Sequence, residues 1–208
     1  MKTFKYTFTL FLLMMACLAF AQIPSAETGT FALTNAKIET ITNGTIENGT
    51  LVIADGMITD VGTSVSIPQG AKTIDCTGMT IYPGMIDGGT QIGLVEVSSD
   101  PRTRDNNEIG DVIPHIQALT AVNPSSVIHP VTRVNGVTTA LTMPSGGLFP
   151  GTAALINLHG YTPDQMYAGF KGVVLNFPTT GRRGRWDRRS DEDIKKAAEK
   201  SLKQLNDV

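Results

Sequence analysis

The sequence predicts an α/β chain in two parts: a small N-terminal β-sandwich over residues 22–83, then the first three or four βα units of a TIM-type barrel over residues 84–208. Three observations predict it. Short apolar runs separated by tight-turn dipeptides fill residues 28–83, the pattern of a small all-β unit. After Gly84, strand-like apolar runs alternate with helix-like segments, as in a parallel α/β barrel. Residues 85–208 amount to about half of the ~250 residues such a barrel takes, so the barrel is expected to be incomplete.

Residues 1–21 stand apart from both. The basic start Met1-Lys2-Thr3-Phe4-Lys5, the apolar run Tyr6 to Phe20 and the small-x-small site Ala19-Phe20-Ala21 form the layout of an export signal cleaved between Ala21 and Gln22. The apolar run falls short of the ~20 residues a membrane span needs. The mature product is therefore expected in the periplasm or outside the cell, without membrane attachment. It keeps one cysteine, Cys76, which excludes an internal disulfide and is expected to serve as a small buried hydrophobe.

In the first part, Phe31 to Ile41 carries an interrupted alternation. Asn43-Gly44 and Asn48-Gly49 are expected turns, and each also opens a formal N-glycosylation sequon. Asp55-Gly56, between Leu51–Ala54 and Met57–Val61, is the strongest hairpin signal, because both central residues of a two-residue turn need positive φ. Lys72 to Asp75 and Met79 to Tyr82 read as two further strands.

The second part opens on Ile81 to Leu94, IYPGMIDGGTQIGL, a Pro83-Gly84 turn leading into an extended segment. Residues 98–111 are polar and aperiodic, a loop, and residues 112–122 fit no single period. Ser125 to Asn135 predicts a short helix with Val127, Ile128, Val131 and Val134 on its apolar face, Pro130 costing regularity. Val137 to Met143 predicts a buried strand, and Leu155–Leu158 and Lys171–Phe177 predict two more. Ser190 to Leu205 predicts a helix capped by Ser190 with Asp193, its apolar face Ile194, Ala197, Ala198, Leu202 and Leu205.

Composition excludes more than it assigns. Hydrophobic residues at 41% support a core, the net charge of −2 points to no polyanionic partner, and aromatic residues at 6% argue against a base- or sugar-stacking surface. No nucleic-acid partner is expected. His115, His129 and His159 form no H-x-H or H-x-x-x-H pair. His129 is expected at the surface or partly packed; His159 ends a strand-like run, where a barrel carries its chemistry. The run Ser145-Gly146-Gly147-Leu148-Phe149-Pro150-Gly151 lacks the Lys-Ser/Thr ending of a phosphate loop and reads as a plain turn or a substrate-facing βα loop. The arginines around Trp186 are interleaved with Asp187, Asp191, Glu192 and Asp193, the pattern of a solvated loop.

Pro83-Gly84-Met85-Ile86-Asp87-Gly88-Gly89-Thr90-Gln91 resembles the P-G-x-I-D-x-H-x-H signature of the amidohydrolase superfamily, the imidazolonepropionase-like, metal-dependent hydrolases among them. Leu33–Ile38, Leu51–Ile58, Ile74–Gly78 and Val131–Ala140 are similar to family segments in the same order. The resemblance implies a sandwich-plus-barrel fold, a divalent metal of zinc type, and hydrolysis of amide or cyclic-amide C–N bonds. It implies that Asp87 supports the strand end, and that Gly89 and Gln91 stand where two metal-binding histidines would. Glycine offers no donor, and an amide is a poor zinc ligand. The family's remaining ligands fall on later strands, so no catalytic or metal residue is assigned in this chain and none of its residues is expected to bind a cofactor. Asp87, Gln91, Ser145, Gly146 and His159 are the candidates for a substrate-side surface toward a small-molecule ligand. Two readings stand: an exported amidohydrolase-like protein in truncated or metal-site-deficient form, needing the missing C-terminal half or a homologous partner chain, and a non-catalytic exported binding or partner protein on the same scaffold.

Overall fold

The computed structural model describes residues 29–182, 184 and 186–207. The expected export signal and its Ala21–Gln22 junction lie outside the described residues, as do Arg183 and Arg185. The chain divides into two compact units between Pro83 and Gly84.

The first unit is one five-stranded mixed sheet. β1 (Thr30–Glu39) lies at its centre and pairs antiparallel with β2 (Thr45–Ala54), which pairs antiparallel with β3 (Met57–Gly62). On its other side β1 pairs in parallel, first with β4 (Lys72–Asp75) and then with β5 (Thr80–Ile81). The β2–β3 hairpin turns at Asp55 (φ 51°) and Gly56 (φ 76°), the two positive angles the sequence pointed to. Ala36, Ile38, Leu51 and Cys76 form the buried cluster, with Leu33, Ile46, Ile53 and Ile81 against it. Within this unit all five described strands join one sheet, so the expected two-layer sandwich is one layer here.

Asn48-Gly49 is not a turn; it lies inside β2, opposite Ala36 where the register with β1 shifts. A β-carbon at Gly49 would sit 2.7 Å from Ile38 Cδ1 and 2.9 Å from Ile46 Cγ2, so glycine is required there for close packing rather than for bending.

Asp75 fixes the end of β4. Its Oδ1 accepts from Asn35 Nδ2 at 3.0 Å, Thr77 N at 3.1 Å and Thr77 Oγ1 at 2.7 Å. These donors, Asn35 first, hold the carboxyl below its ordinary 3.8. A depressed carboxyl contributes stability that is whole above the unfolded value and is lost as pH falls through the folded one. Asp75→Asn is therefore expected to lower the first unit's stability above pH 3.8, where the carboxylate's contribution is whole, and to flatten the acid limb so that the two proteins converge as pH falls below it. Urea titrations of both proteins across that range check it, and parallel acid limbs would contradict the assignment.

The second unit holds a four-stranded sheet in the order β6-β7-β8-β9. β6 (Met85–Thr90) and β7 (Val137–Thr142) are parallel, and the segment between them carries α1 (Ala118–Ala121) and α2 (Ile128–Val134). β8 (Gly151–Asn157) then runs antiparallel to β7, and β9 (Tyr167–Val174) antiparallel to β8. The expected three or four βα units are thus one βα step followed by two reversals. The connections explain it. Only residues 143–150 join β7 to β8, and only 158–166, with the short α3 (Pro163–Met166), join β8 to β9. Parallel neighbours need a crossover of about a dozen residues or more. Because β9 reverses twice, it points the same way as β6 and β7, and the C-terminal ends of all three lie at one edge.

The core beneath is apolar, built on Leu94, Leu119, Ile156, Leu158 and Met166. Of the face expected for α2, Ile128 packs against this core but the three valines do not. Val127, Val131 and Val134 are 74%, 60% and 85% exposed, and the buried side chain is His129, at 2%. Its Nε2 donates to Asn123 O at 3.0 Å, a bond no valine could make, and a β-carbon at Gly93 would lie only 3.2 Å from its Cε1. α4 (Asp191–Asn206) starts as expected: Ser190 Oγ accepts from Asp193 N at 3.1 Å and donates to Asp193 Oδ2 at 2.6 Å. It buries Ile194 and Ala198, while Ala197 and Leu202 stay exposed.

Candidate functional site

β6 carries Asp87 and Gly89, with Gln91 just past its end, and its register with β7 shifts between Asp87 and Thr90. Gly89 and Gln91 line a cleft of roughly 450 Å³ at the shared strand ends. Met143 and Ser145 enter it from the end of β7, and Val174 and Asn176 from the end of β9. A cleft of this size admits a small organic molecule.

The chemistry of its wall is neutral and polar. No charged side chain lines it. The Gln91 amide makes no hydrogen bond to another described residue, so both its donor and its acceptor face solvent. Ser145 is anchored instead: its Oγ accepts from Asn106 Nδ2 at 2.9 Å and donates to Asn106 O at 3.3 Å, and Asn106 is buried. Asn176 is a residue that sequence reasoning missed, since it lay inside a predicted strand run. Its Nδ2 bridges Gly146 O at 3.2 Å and Gly147 O at 2.8 Å, and its backbone N–H donates to Leu148 O at 2.9 Å. It ties the glycine-rich connection to β9 and keeps its own Oδ1 available to the cleft.

The sequence candidates separate on this frame. Gln91 and Ser145 meet in the cleft, together with Gly89. Asp87 folds back on its own strand, its Oδ1 accepting from Gly89 N at 3.1 Å, and does not line the cleft. Gly146 lies beside Asn176 in a neighbouring cleft under α4, where its φ of 130° and the Asn107 side chain leave no room for a β-carbon. The connection 145–151 joins β7 to antiparallel β8, so it is neither a βα loop nor a phosphate loop. His159 is a correction. It ends β8, and β8 runs backwards: Asn157 pairs with Thr139, and Leu158 N donates to Thr138 O at 2.9 Å, at the start of β7. His159 therefore sits at the opposite edge from Gln91. Of the arginine-rich segment, Arg182 pairs with Asp191 at 2.9 Å and Arg189 with Asp187 at 2.5 Å, beside a Trp186 that is 93% exposed.

The divalent metal implied by the sequence resemblance does not fit these residues. Gly89 has no donor, Gln91 has only an amide, and among the described residues no three His, Cys, Asp or Glu side chains gather. A β-carbon at Gly89 would lie 2.9 Å from Met143 Cε, so a side chain at this position would move the end of the methionine aside.

No family model matches the chain. Over a 67-residue stretch it is 36% identical to an imidazolonepropionase of Mesorhizobium japonicum, a match covering 28% of this chain and 16% of that protein. An amidohydrolase from Thermotoga maritima superposes on 70% of this chain with a TM-score of 0.61 at 24% sequence identity. The chain spans 37% of the Thermotoga chain's length. The first likeness lies in sequence, and the second in fold: an α/β architecture with mixed sheets, shared over part of the chain.

Proposed function

We propose that this chain, which belongs to the amidohydrolase superfamily, is part of an exported protein whose first-strand metal clamp has become a neutral ligand cleft. The strands of the first unit would be one layer of the family's sandwich, and β6, β7 and β9 the opening strands of its barrel. Gln91 is the ligand-facing residue, offering an amide donor and acceptor from the position a histidine would hold. Asn176 Oδ1 and the anchored Ser145 hydroxyl complete a wall that suits an uncharged, amide-like molecule. The observation that carries this reading is that Gly89 and Gln91 share one neutral cleft wall, the Gln91 amide having no partner among the described residues.

C–N bond hydrolysis by this scaffold would require metal donors other than those in this cleft. The unpaired edges of β6 and β9, with Met85 and Ile86 at 55% and 65% exposed and Phe170 and Val173 at 52% and 57%, suit completion by further barrel strands or a homologous chain. A second reading, a binding protein without turnover, is favoured by the joint loss of donors at 89 and 91.

Titration of the full chain with 2-pyrrolidinone, followed by the side-chain amide NMR signals of Gln91 and Asn176, tests the proposal. Saturable shifts of both, abolished by Gln91→Ala and accompanied by no ring opening, are expected. Shifts that survive Gln91→Ala, or turnover dependent on a metal held by this cleft, would overturn it.

A further inference from the structure

At the opposite edge of the same sheet the side chains of Arg133, His159 and Tyr161 converge with Ser125 on a second cleft, of roughly 380 Å³. Its hydrogen-bonding state can be worked out atom by atom. Arg133 Nη1 donates to Leu158 O at 2.6 Å and contacts His159 Nδ1 at 3.2 Å. A guanidinium is donor-only, so His159 Nδ1 is the acceptor in that contact and the ring proton sits on Nε2. His159 is thereby set as a donor toward the cleft. Among the described residues Arg133 Nε and Nη2 have no partner, nor have the Tyr161 hydroxyl and Ser125 Oγ, although the Ser125 backbone N–H is taken by Asn123 Oδ1 at 3.1 Å. His159 and Tyr161 stack edge to face with centroids 6.3 Å apart, which holds the two rings side by side. No carboxylate lines the cleft, and its one formal charge is the guanidinium.

We propose that this cleft is a binding site for a small oxyanion, taken by Arg133 Nε and Nη2 with His159 Nε2–H and the Tyr161 hydroxyl as further donors. The two bonds that Arg133 already makes fix its fork against the end of β8, so little side-chain freedom is lost when the anion arrives. Four donors without a competing acceptor charge suit a carboxylate or a phosphoryl group. The site is separate from the Gln91 cleft, because β8 ends where β7 begins.

Inorganic phosphate and acetate, each titrated into the full chain at constant ionic strength set with chloride, distinguish the sources. Saturable NMR shifts confined to residues 125–133 and 158–161 are expected from at least one of them, with the tighter ion naming the group. Arg133→Gln is expected to weaken binding roughly tenfold or more. Tyr161→Phe, which leaves the Leu158 contact intact, is expected to weaken it by a smaller factor without altering the unfolding midpoint. Shifts reproduced by chloride alone, an absence of saturation with both ions, or unchanged affinity in Tyr161→Phe together with Arg133→Gln would overturn the proposal.

Discussion

Replacing Ile156 with alanine is expected to destabilise the second unit by about 2–5 kcal/mol. Ile156 is fully buried, on a strand hydrogen-bonded on both sides, and it packs in one apolar cluster with Leu94, Leu119, Leu158 and Met166. Truncation removes the transfer free energy of three carbons and leaves a cavity that a central strand cannot collapse to fill. Val173→Ala on β9 is the internal control: Val173 is 57% exposed, and its loss is expected to change stability by no more than about 0.5 kcal/mol. Urea unfolding followed by amide signals from β7 and β8 measures both. Equal small effects at the two positions would mean that the β8 interior is not the packed core described above.

The second large effect is a gain. Gly89→His with Gln91→His places two imidazoles at the strand exit, yet Met143 Cε stands 2.9 Å from the new β-carbon. Moving the end of this half-buried methionine off its rotamer costs about 0.5–1.5 kcal/mol. Adding Met143→Ala to the histidine pair is therefore expected to tighten zinc binding by roughly 2- to 12-fold over the pair alone. Competition against a chromophoric chelator reads the ratio directly. Equal affinities with and without Met143→Ala would show that the methionine moves aside freely and does not guard the site.

Local chemistry made some of this legible. Asp55-Gly56 was legible as a two-residue hairpin because Asp and Gly tolerate the two positive φ angles that the turn needs and apolar runs flank them on both sides. Ser190 with Asp193 located the start of α4 because capping is decided within one turn of chain. What failed was everything settled by long-range packing. Apolar periodicity assigned Val127, Ile128, Val131 and Val134 to the inner face of α2, yet only Ile128 packs on the core, and His129, hydrogen-bonded to the backbone carbonyl of Asn123, is buried beside it. His159 was misplaced because an apolar run says nothing of strand direction. The brevity of residues 143–150 carried that information, since so short a link cannot cross over to a parallel strand. Asn176 could not be found from its own sequence neighbourhood: its partners, Gly146 and Gly147, lie about thirty residues earlier in the chain.

The central claim is that the position of the family's first metal clamp is a neutral polar cleft in this protein. Equilibrium dialysis of the full chain against zinc, followed by elemental analysis of the unaltered protein and of Gln91→Ala, tests it most directly. The account predicts no tightly held zinc attributable to Gln91, so the two proteins retain the same amount. One equivalent of zinc retained by the unaltered chain and lost on Gln91→Ala would contradict it.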